Sequence, residues 1–184
     1  PVATVSDTLD KNVNIVGIDS FSGFPDGYTS HVNDNFDTFN KQHENGEITD
    51  YNYLKAMERC SGNTTEFTDT DYFQIAESEA FKFSNNRKNV KLLKGYFSEV
   101  LPSYTDDIDV LFLDCDLYES YLDCLHNLYE QVVSGGVIIF DEYYSHKYPG
   151  ARVAVNEFFD GRSDGWFERY TSPTGYHRWC WVKK

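Results

Sequence analysis

Apolar and polar positions divide the chain into short apolar runs and stretches of helical periodicity. Residues 13–19 (VNIVGID) are a short apolar run ending in an acid, the pattern of a buried strand. Ser20 to Gly27 (SFSGFPDG) is turn-rich. Tyr28 to Asn63 is polar, with interspersed aromatics and few aliphatics, and reads as an insertion or lid with some helix. From Thr68 to Phe83 the spacing predicts a helix. Thr70 or Asp71 can cap its start, and Phe73, Ala76, Ala80 and Phe83 recur near helical spacing. Val90 to Leu93 is a short strand, followed by the loop Lys94-Gly95-Tyr96-Phe97. Residues 108–114 (IDVLFLD) are the strongest strand signal, continuous enough to suggest burial on both faces, as in a parallel sheet.

Tyr118, Leu122, Leu125, Tyr129 and Val132 then follow helical spacing, with Ser134-Gly135-Gly136 as the stop. Val137 to Asp141 (VIIFD) is a further buried strand, and Pro149 suits the first turn of a helix running to about Phe159. In the tail, Trp166–Tyr170 and Tyr176–Val182 flank Ser172-Pro173-Thr174-Gly175, two antiparallel strands joined by a turn. Alternating strands and helices closed by an antiparallel pair define an α/β fold. The length of 184 residues and 40% apolar content fit a single domain with a real core.

Charge narrows the partners. The net charge of -14 argues against nucleic acid or an anionic membrane, and no apolar run is long enough to span a bilayer. Cys60, Cys115, Cys124 and Cys180 form no CxxC pair, and no signal peptide opens the chain, so a cytoplasmic protein with reduced thiols is expected. His31, His43, His126, His146 and His177 have no metal-ligand spacing. The charge is also unevenly spread. Gly95 to His146 lacks Lys and Arg altogether yet holds eleven carboxylates. Acids crowded beside apolar strands resist ionising unless distant residues or a bound cation relieve them.

Parallel α/β sheets bind ligands at the carboxyl ends of their strands. Three predicted strand ends carry acids: Asp19, then Asp114 with Asp116, then Asp141 with Glu142. Asp114, Asp141 and Glu142 offer oxygen ligands for a hard cation, magnesium first, with calcium or manganese able to take the same donors. Each has a plainer alternative. Asp116 and Glu119 match a capping box, Asp141-Glu142 could be an ordinary turn, and Asp19 could satisfy turn amides rather than two ribose hydroxyls.

The segments LFLDCDLYES (111–120) and NLYEQVVSGGVIIFDEY (127–143) resemble the macrocin O-methyltransferase family. Upstream, GIDSFSGFPD (17–26) and LKGYFSEVLP (93–102) resemble it in the same order. The resemblance implies a Rossmann-like class I methyltransferase sheet, mostly parallel with an antiparallel C-terminal strand, using S-adenosylmethionine and a divalent metal. By position, Asp19 would hold the cofactor ribose with Ser20 and Phe21 beside it, Gly95 and Tyr96 would lie near the adenine, and Asp114 would border the cofactor. Asp114, Asp141 and Glu142 would hold the metal, and Asp116 would be the general base. The acceptor implied is a hydroxyl of a sugar or other small polyhydroxy or aromatic molecule.

The sequence departs from the family in three places. Cys115 stands where the family usually has Gly, Glu142 where it has Asp, and no glycine-rich loop precedes Asp19. The first strand and that loop are therefore expected upstream of this sequence. Without them two sheet edges would lie open, and the chain alone is expected to be poorly stable or to pair with a copy of itself. Two other readings stay open. Asp114-Cys115-Asp116 is also the D-x-D of a metal-dependent glycosyltransferase, and a methyltransferase-like scaffold without catalysis would also lack the loop.

Overall fold

The computed structural model describes residues 13–61, 70–171 and 177–184. They fall into two compact units, one within Pro1–Phe24 and Thr65–Val100, the other within Pro25–Thr64 and Leu101–Lys184. Among the described residues no helix is long and apolar enough to cross a membrane.

In the first unit, β1 (Ile15–Asp19) runs parallel to β2 (Val90–Lys94), in register from Ile15 opposite Val90 to Asp19 opposite Lys94. Between them in sequence stands a helix, Thr70–Asn85, and after β2 comes a single turn, Phe97–Val100. The Ser84 hydroxyl, buried at the end of the longer helix, donates to the Val90 carbonyl at 2.9 Å and fixes where β2 begins. Phe73, Ala76 and Ala80 lie on the covered side of that helix as the spacing predicts, but Phe83 does not. Phe83 is 40% exposed, with the Arg87 guanidinium over its ring, and Phe81 takes the inner position against Phe21. The predicted caps Thr70 and Asp71 lie outside the described side chains.

The second unit holds a four-stranded sheet ordered β3-β4-β6-β5. β3 (Ile108–Leu113) and β4 (Val132–Phe140) are parallel; β6 (His177–Lys183) runs antiparallel to both β4 and β5 (Gly165–Thr171). Four of the described α-helices belong to this unit. Numbered with the rest in chain order, the helices are α1 (Phe36–Glu44), α2 (Asp50–Ser61), α3 (Thr70–Asn85), α4 (Phe97–Val100), α5 (Tyr118–Leu128) and α6 (Gly150–Phe159). Leu111, Leu113, Ile138 and Phe140 from the sheet, Tyr121 and Leu125 from α5, and Val155 and Phe159 from α6 are buried in its core. Rings of Phe140, Phe159, Phe167 and Trp181 contact one another there. The turn predicted at residues 172–175 lies outside the described residues.

Two expectations need correction. β3 is not buried on both faces: Leu111 and Leu113 are covered, whereas Val110 and Phe112 are 61% and 51% exposed. Among the described residues β3 pairs with β4 alone and only one of its faces is packed. The second correction concerns α5, which stops at Leu128 and does not reach Ser134. After a 3-10 turn at Tyr129–Gln131, Val132 already sits in β4 opposite Ile108. The β-branched pair Val132-Val133 favours strand, and helical phase across Tyr129 and Val132 is coincidental. Gly135, at φ 81, takes up the register shift between Ile108 and Val110 as a strand irregularity rather than a helix stop.

The polar segment after Pro25 is helical, as anticipated, and is built into this unit. Phe39, Ile48 and Ala56 form a small core with Phe36 and Tyr53 packed on it. The Arg152 guanidinium on α6 donates to the Glu47 carbonyl at 2.8 Å, and the Gln42 amide donates to the Pro149 carbonyl at 3.1 Å. Asp34 joins the segment to both helices. Its carboxylate accepts from the Tyr118 N–H at 3.0 Å, at the start of α5, and from the Gly150 N–H, at the start of α6. A negative charge there meets the unpaired amides and positive dipole ends of two helices at once. A Cβ on Gly150 would run into that carboxylate, so glycine is required. Replacing Asp34 by Ala removes two caps worth about 1 kcal/mol each. Thermal melts followed by circular dichroism should show Tm lower by roughly 4–8 °C; an unchanged Tm would mean the caps carry no stability.

Candidate active site

In the first unit the predicted cofactor residues gather at the carboxyl end of the parallel pair. The Gly95 N–H donates to the Asp19 carbonyl at 3.0 Å, so Asp19 and Gly95 lie side by side. Beyond Asp19 the chain turns sharply. Asp19 Oδ1 accepts from the Phe21 N–H at 2.6 Å, and Ser20 Oγ donates to the Gly23 carbonyl at 2.7 Å. Phe21 is held at φ 50, uncommon for a residue with a large side chain. Gly95 has φ 148, and a Cβ there would meet Val100 Cγ2 at 2.6 Å. The Tyr96 carbonyl accepts from the Glu99 and Val100 amides, starting α4. Asp19 does satisfy a turn amide, through one carboxylate oxygen.

The acid-bearing ends of β3 and β4 are stitched together in the second unit. The parallel ladder continues one step past β4, with the Asp141 N–H donating to the Leu113 carbonyl at 2.9 Å. Asp114 and Glu142 therefore follow directly from paired backbone. Oxygens of Asp114, Asp116 and Glu142 all lie within 4.8 Å of one another, with Asp114 exposed, Asp116 half-buried and Glu142 buried. Asp141 also stands at this end, but its carboxylate is paired with Arg178 on β6. The sequence thus gathers its four acids at one sheet end; three of them form the tight group, and the fourth has a distant arginine as partner.

Asp116 sits at φ 63, in the left-handed region, and the Leu117 N–H closes a tight turn onto the Cys115 carbonyl at 2.7 Å. It does not cap α5. The helix begins at Tyr118 with Leu117 before it, and Asp34 accepts the Tyr118 amide. The capping-box alternative for Asp116 and Glu119 therefore fails, because another carboxylate occupies the cap.

Crowding and burial raise the acids. Glu142 is pushed up to about 8, first by burial and then by Asp116, Asp114 and Asp141, while its bond to Tyr121 opposes the rise. Asp116 is pushed up to about 6 by burial and by Asp114, opposed by Lys147. Asp34 also rises to about 6, through burial. The stretch without lysine or arginine is thus partly relieved from outside, by Arg178 on Asp141 and by the field of Lys147 on Asp116.

The three clustered oxygens fit a hard cation. Across one ion, two donors at calcium distance lie about 4.6–5.2 Å apart and two at magnesium distance about 4.0–4.2 Å. Oxygens within 4.8 Å of one another fall inside the span that a single such ion can bridge. All three donors are carboxylate oxygens, the chemistry magnesium, manganese and calcium share. Sequence reasoning missed Asp34 and Tyr121, which brace this end. Asp34 lies in a polar segment with no periodicity, and Tyr121 looks like one more core aromatic.

Parallel β3 and β4 with β6 antiparallel beside them, and acids at the ends of the parallel strands, fit the Rossmann-like fold of class I methyltransferases. The chain matches the solved O-methyltransferase NovP with TM-score 0.61 and 24% identity, over 98% of this chain and 64% of that one. It matches CalS11, a calicheamicin methyltransferase, with TM-score 0.53 and 20% identity, over 92% and 60%. The macrocin-O-methyltransferase (TylF) profile matches residues 55–163, more than half the chain, and the chain belongs to that family. The demethyldecarbamoylnovobiocin O-methyltransferase of Streptomyces niveus is 42% identical over 72 residues, 39% of this chain and 27% of that protein. The 8-demethyl-8-(2,3-dimethoxy-alpha-L-rhamnosyl)-tetracenomycin-C 4'-O-methyltransferase of Streptomyces olivaceus is 44% identical over 55 residues, 29% and 21%. These matches span about a quarter of either relative's length.

The raised acids give the cation-free chain a pH signature. Glu142 titrates near 4.5 when unfolded and near 8 when folded. Between those values the folded state holds the extra proton, so Glu142's contribution to stability is greatest below about 4.5 and falls as pH rises toward 8. The slope from one such group is at most about 1.4 kcal/mol per pH unit, or roughly 3–6 °C. In EDTA, Tm should fall from pH 5 to pH 8; Glu142→Gln should flatten the profile, and millimolar Mn2+ should restore Tm at pH 8. A Tm that rises over this range in EDTA would contradict the crowding.

Proposed function

We propose that this chain carries the cation- and acceptor-binding part of an S-adenosylmethionine-dependent O-methyltransferase that methylates a hydroxyl of a sugar or similar polyhydroxy acceptor. The observation that carries this is the trio Asp114, Asp116 and Glu142, with oxygens within 4.8 Å, in a member of the macrocin-O-methyltransferase family. Support for a sugar acceptor comes from the Streptomyces olivaceus relative, whose name specifies a rhamnosyl-bearing tetracenomycin. Family membership favours methyl transfer over a nucleotide-sugar reaction at Asp114-Cys115-Asp116.

When bound, S-adenosylmethionine supplies an electrophilic methyl group and a divalent cation supplies Lewis acidity toward the acceptor oxygen. Asp114 and Glu142 would hold the cation, with Asp141 adjoining and paired with Arg178. Asp116 takes the proton of the acceptor hydroxyl. With its carboxyl raised to about 6, it is ionised at neutral pH and more basic than an ordinary aspartate, which suits a general base. Asp19 would accept from the cofactor ribose, with Ser20 and Phe21 in the adjoining turn, and Gly95 and Tyr96 would hold the adenine.

Asp114→Ala should abolish the Mg2+-dependent part of methyl transfer from S-adenosylmethionine to a deoxysugar acceptor. Transfer that survives both this substitution and EDTA would rule out the metal role. Asp116→Asn should cut kcat by about 10²–10⁴-fold without lowering Tm, since Asn tolerates the left-handed backbone and removes a charge from the crowd. Equal loss of activity and Tm would make Asp116 structural. Calorimetry with S-adenosylhomocysteine and, separately, a nucleotide-sugar, each with Mg2+, distinguishes the two transferase readings; heat with the nucleotide-sugar alone would overturn this one.

A further inference from the structure

We infer that Tyr121 is the positioning residue of the cation site, holding the Glu142 carboxylate against the ends of β3 and β4. The inference rests on the metal reading above. Tyr121 lies on α5 and is fully buried. Its hydroxyl is 2.6 Å from Glu142 Oε2, 3.2 Å from the Glu142 backbone nitrogen and 3.1 Å from the Leu113 carbonyl. One hydroxyl therefore touches both strand ends that deliver the acids.

Proton counting decides what it does there. The hydroxyl has one hydrogen to give and lone pairs to receive. The Glu142 N–H donates to it, and the Leu113 carbonyl already accepts from the Asp141 N–H. The carboxylate is the shortest contact and, when ionised, the strongest acceptor, so the hydrogen goes to Glu142 Oε2. That fixes one oxygen of a carboxylate that lies within 4.8 Å of those of Asp114 and Asp116. Glu142 has one more methylene, and so one more rotatable bond, than an aspartate would. A carboxylate on a longer stem must be tied down to act as a fixed ligand, and the tie comes from the neighbouring helix. Groups that orient a ligand in this way typically contribute 10–100-fold to metal affinity.

The test is Mn2+ titration of the cation-free protein, read by electron paramagnetic resonance. Tyr121→Phe should weaken Mn2+ binding by about 10–100-fold. On a Glu142→Gln background the same substitution should change affinity little, because Tyr121 acts through Glu142. Equal Mn2+ affinity with and without the hydroxyl, or additive losses in the double variant, would overturn the role of Tyr121. Absence of Mn2+ binding by the unsubstituted chain would instead overturn the metal reading beneath it. As a probe that keeps the ring and hydroxyl, 3-fluorotyrosine at position 121 should show a 19F shift on adding Mg2+. A resonance that stays fixed at saturating Mg2+ would likewise overturn the proposal.

Discussion

The second unit is organised around one electrostatic conflict: a parallel ladder drives carboxylates together where water is scarce. The bond from the Asp141 N–H to the Leu113 carbonyl sets β3 and β4 level, so the residues that follow emerge at the same height. Two unit charges at 4.8 Å repel by about 3–4 kcal/mol at an effective dielectric of 20. That is a sizeable part of the 5–15 kcal/mol that holds a typical domain together. The half-buried Asp116 and buried Glu142 cannot both stay ionised cheaply, which is why both are raised. Protons, Arg178 and Lys147 relieve the conflict in part, and a divalent cation relieves it most directly.

The same conflict explains which features could be read from the sequence. Strands were legible because β1 and the cores of β3 (Val110–Leu113) and β4 (Val137–Phe140) are continuous apolar runs, and Asp19, Asp114 and Asp141 were legible because each follows such a run. The end of α5 was not, since Tyr129 and Val132 stay in helical phase while the backbone has already left the helix. The open face of β3 was hidden for a different reason. Val110 and Phe112 are as apolar as Leu111 and Leu113, and composition carries no record of which face a neighbour covers. Among the acids, convergence of Asp114 with Glu142 follows from topology alone. The closer engagement of Asp116, and of Asp141 with Arg178, depends on a left-handed turn and a strand from the far end of the chain.

The segment between Pro25 and α2 belongs to this electrostatic frame. Its Asp34 is a further half-buried carboxylate near Asp116, kept there by the amides of two helix starts. α5 carries Tyr121, which ties Glu142, and α6 carries Arg152, whose guanidinium binds the Tyr143 carbonyl just past Glu142 at 3.0 Å. A movement of residues 28–61 as a rigid flap would break the Asp34 caps and the Arg152 bond to Glu47 together. The polar composition that suggested a lid reflects a surface layer that braces the site.

Asp116 is where structural and chemical explanations can be separated. A left-handed backbone costs a residue with a Cβ roughly 1–2 kcal/mol, though Asp tolerates it better than most. Helix capping would justify that cost, but Asp34 holds the amide that Asp116 would cap. An ion pair would justify it too, yet the nearest strong influences on Asp116 are other acids, with Lys147 as the opposing charge. A residue both strained and crowded by like charge destabilises the fold twice over. What the turn does achieve is to bring the Asp116 carboxylate beside those of Asp114 and Glu142, a placement useful for binding and proton transfer and harmful to stability. The strain at Asp116 therefore points to chemistry more directly than the acidic composition does.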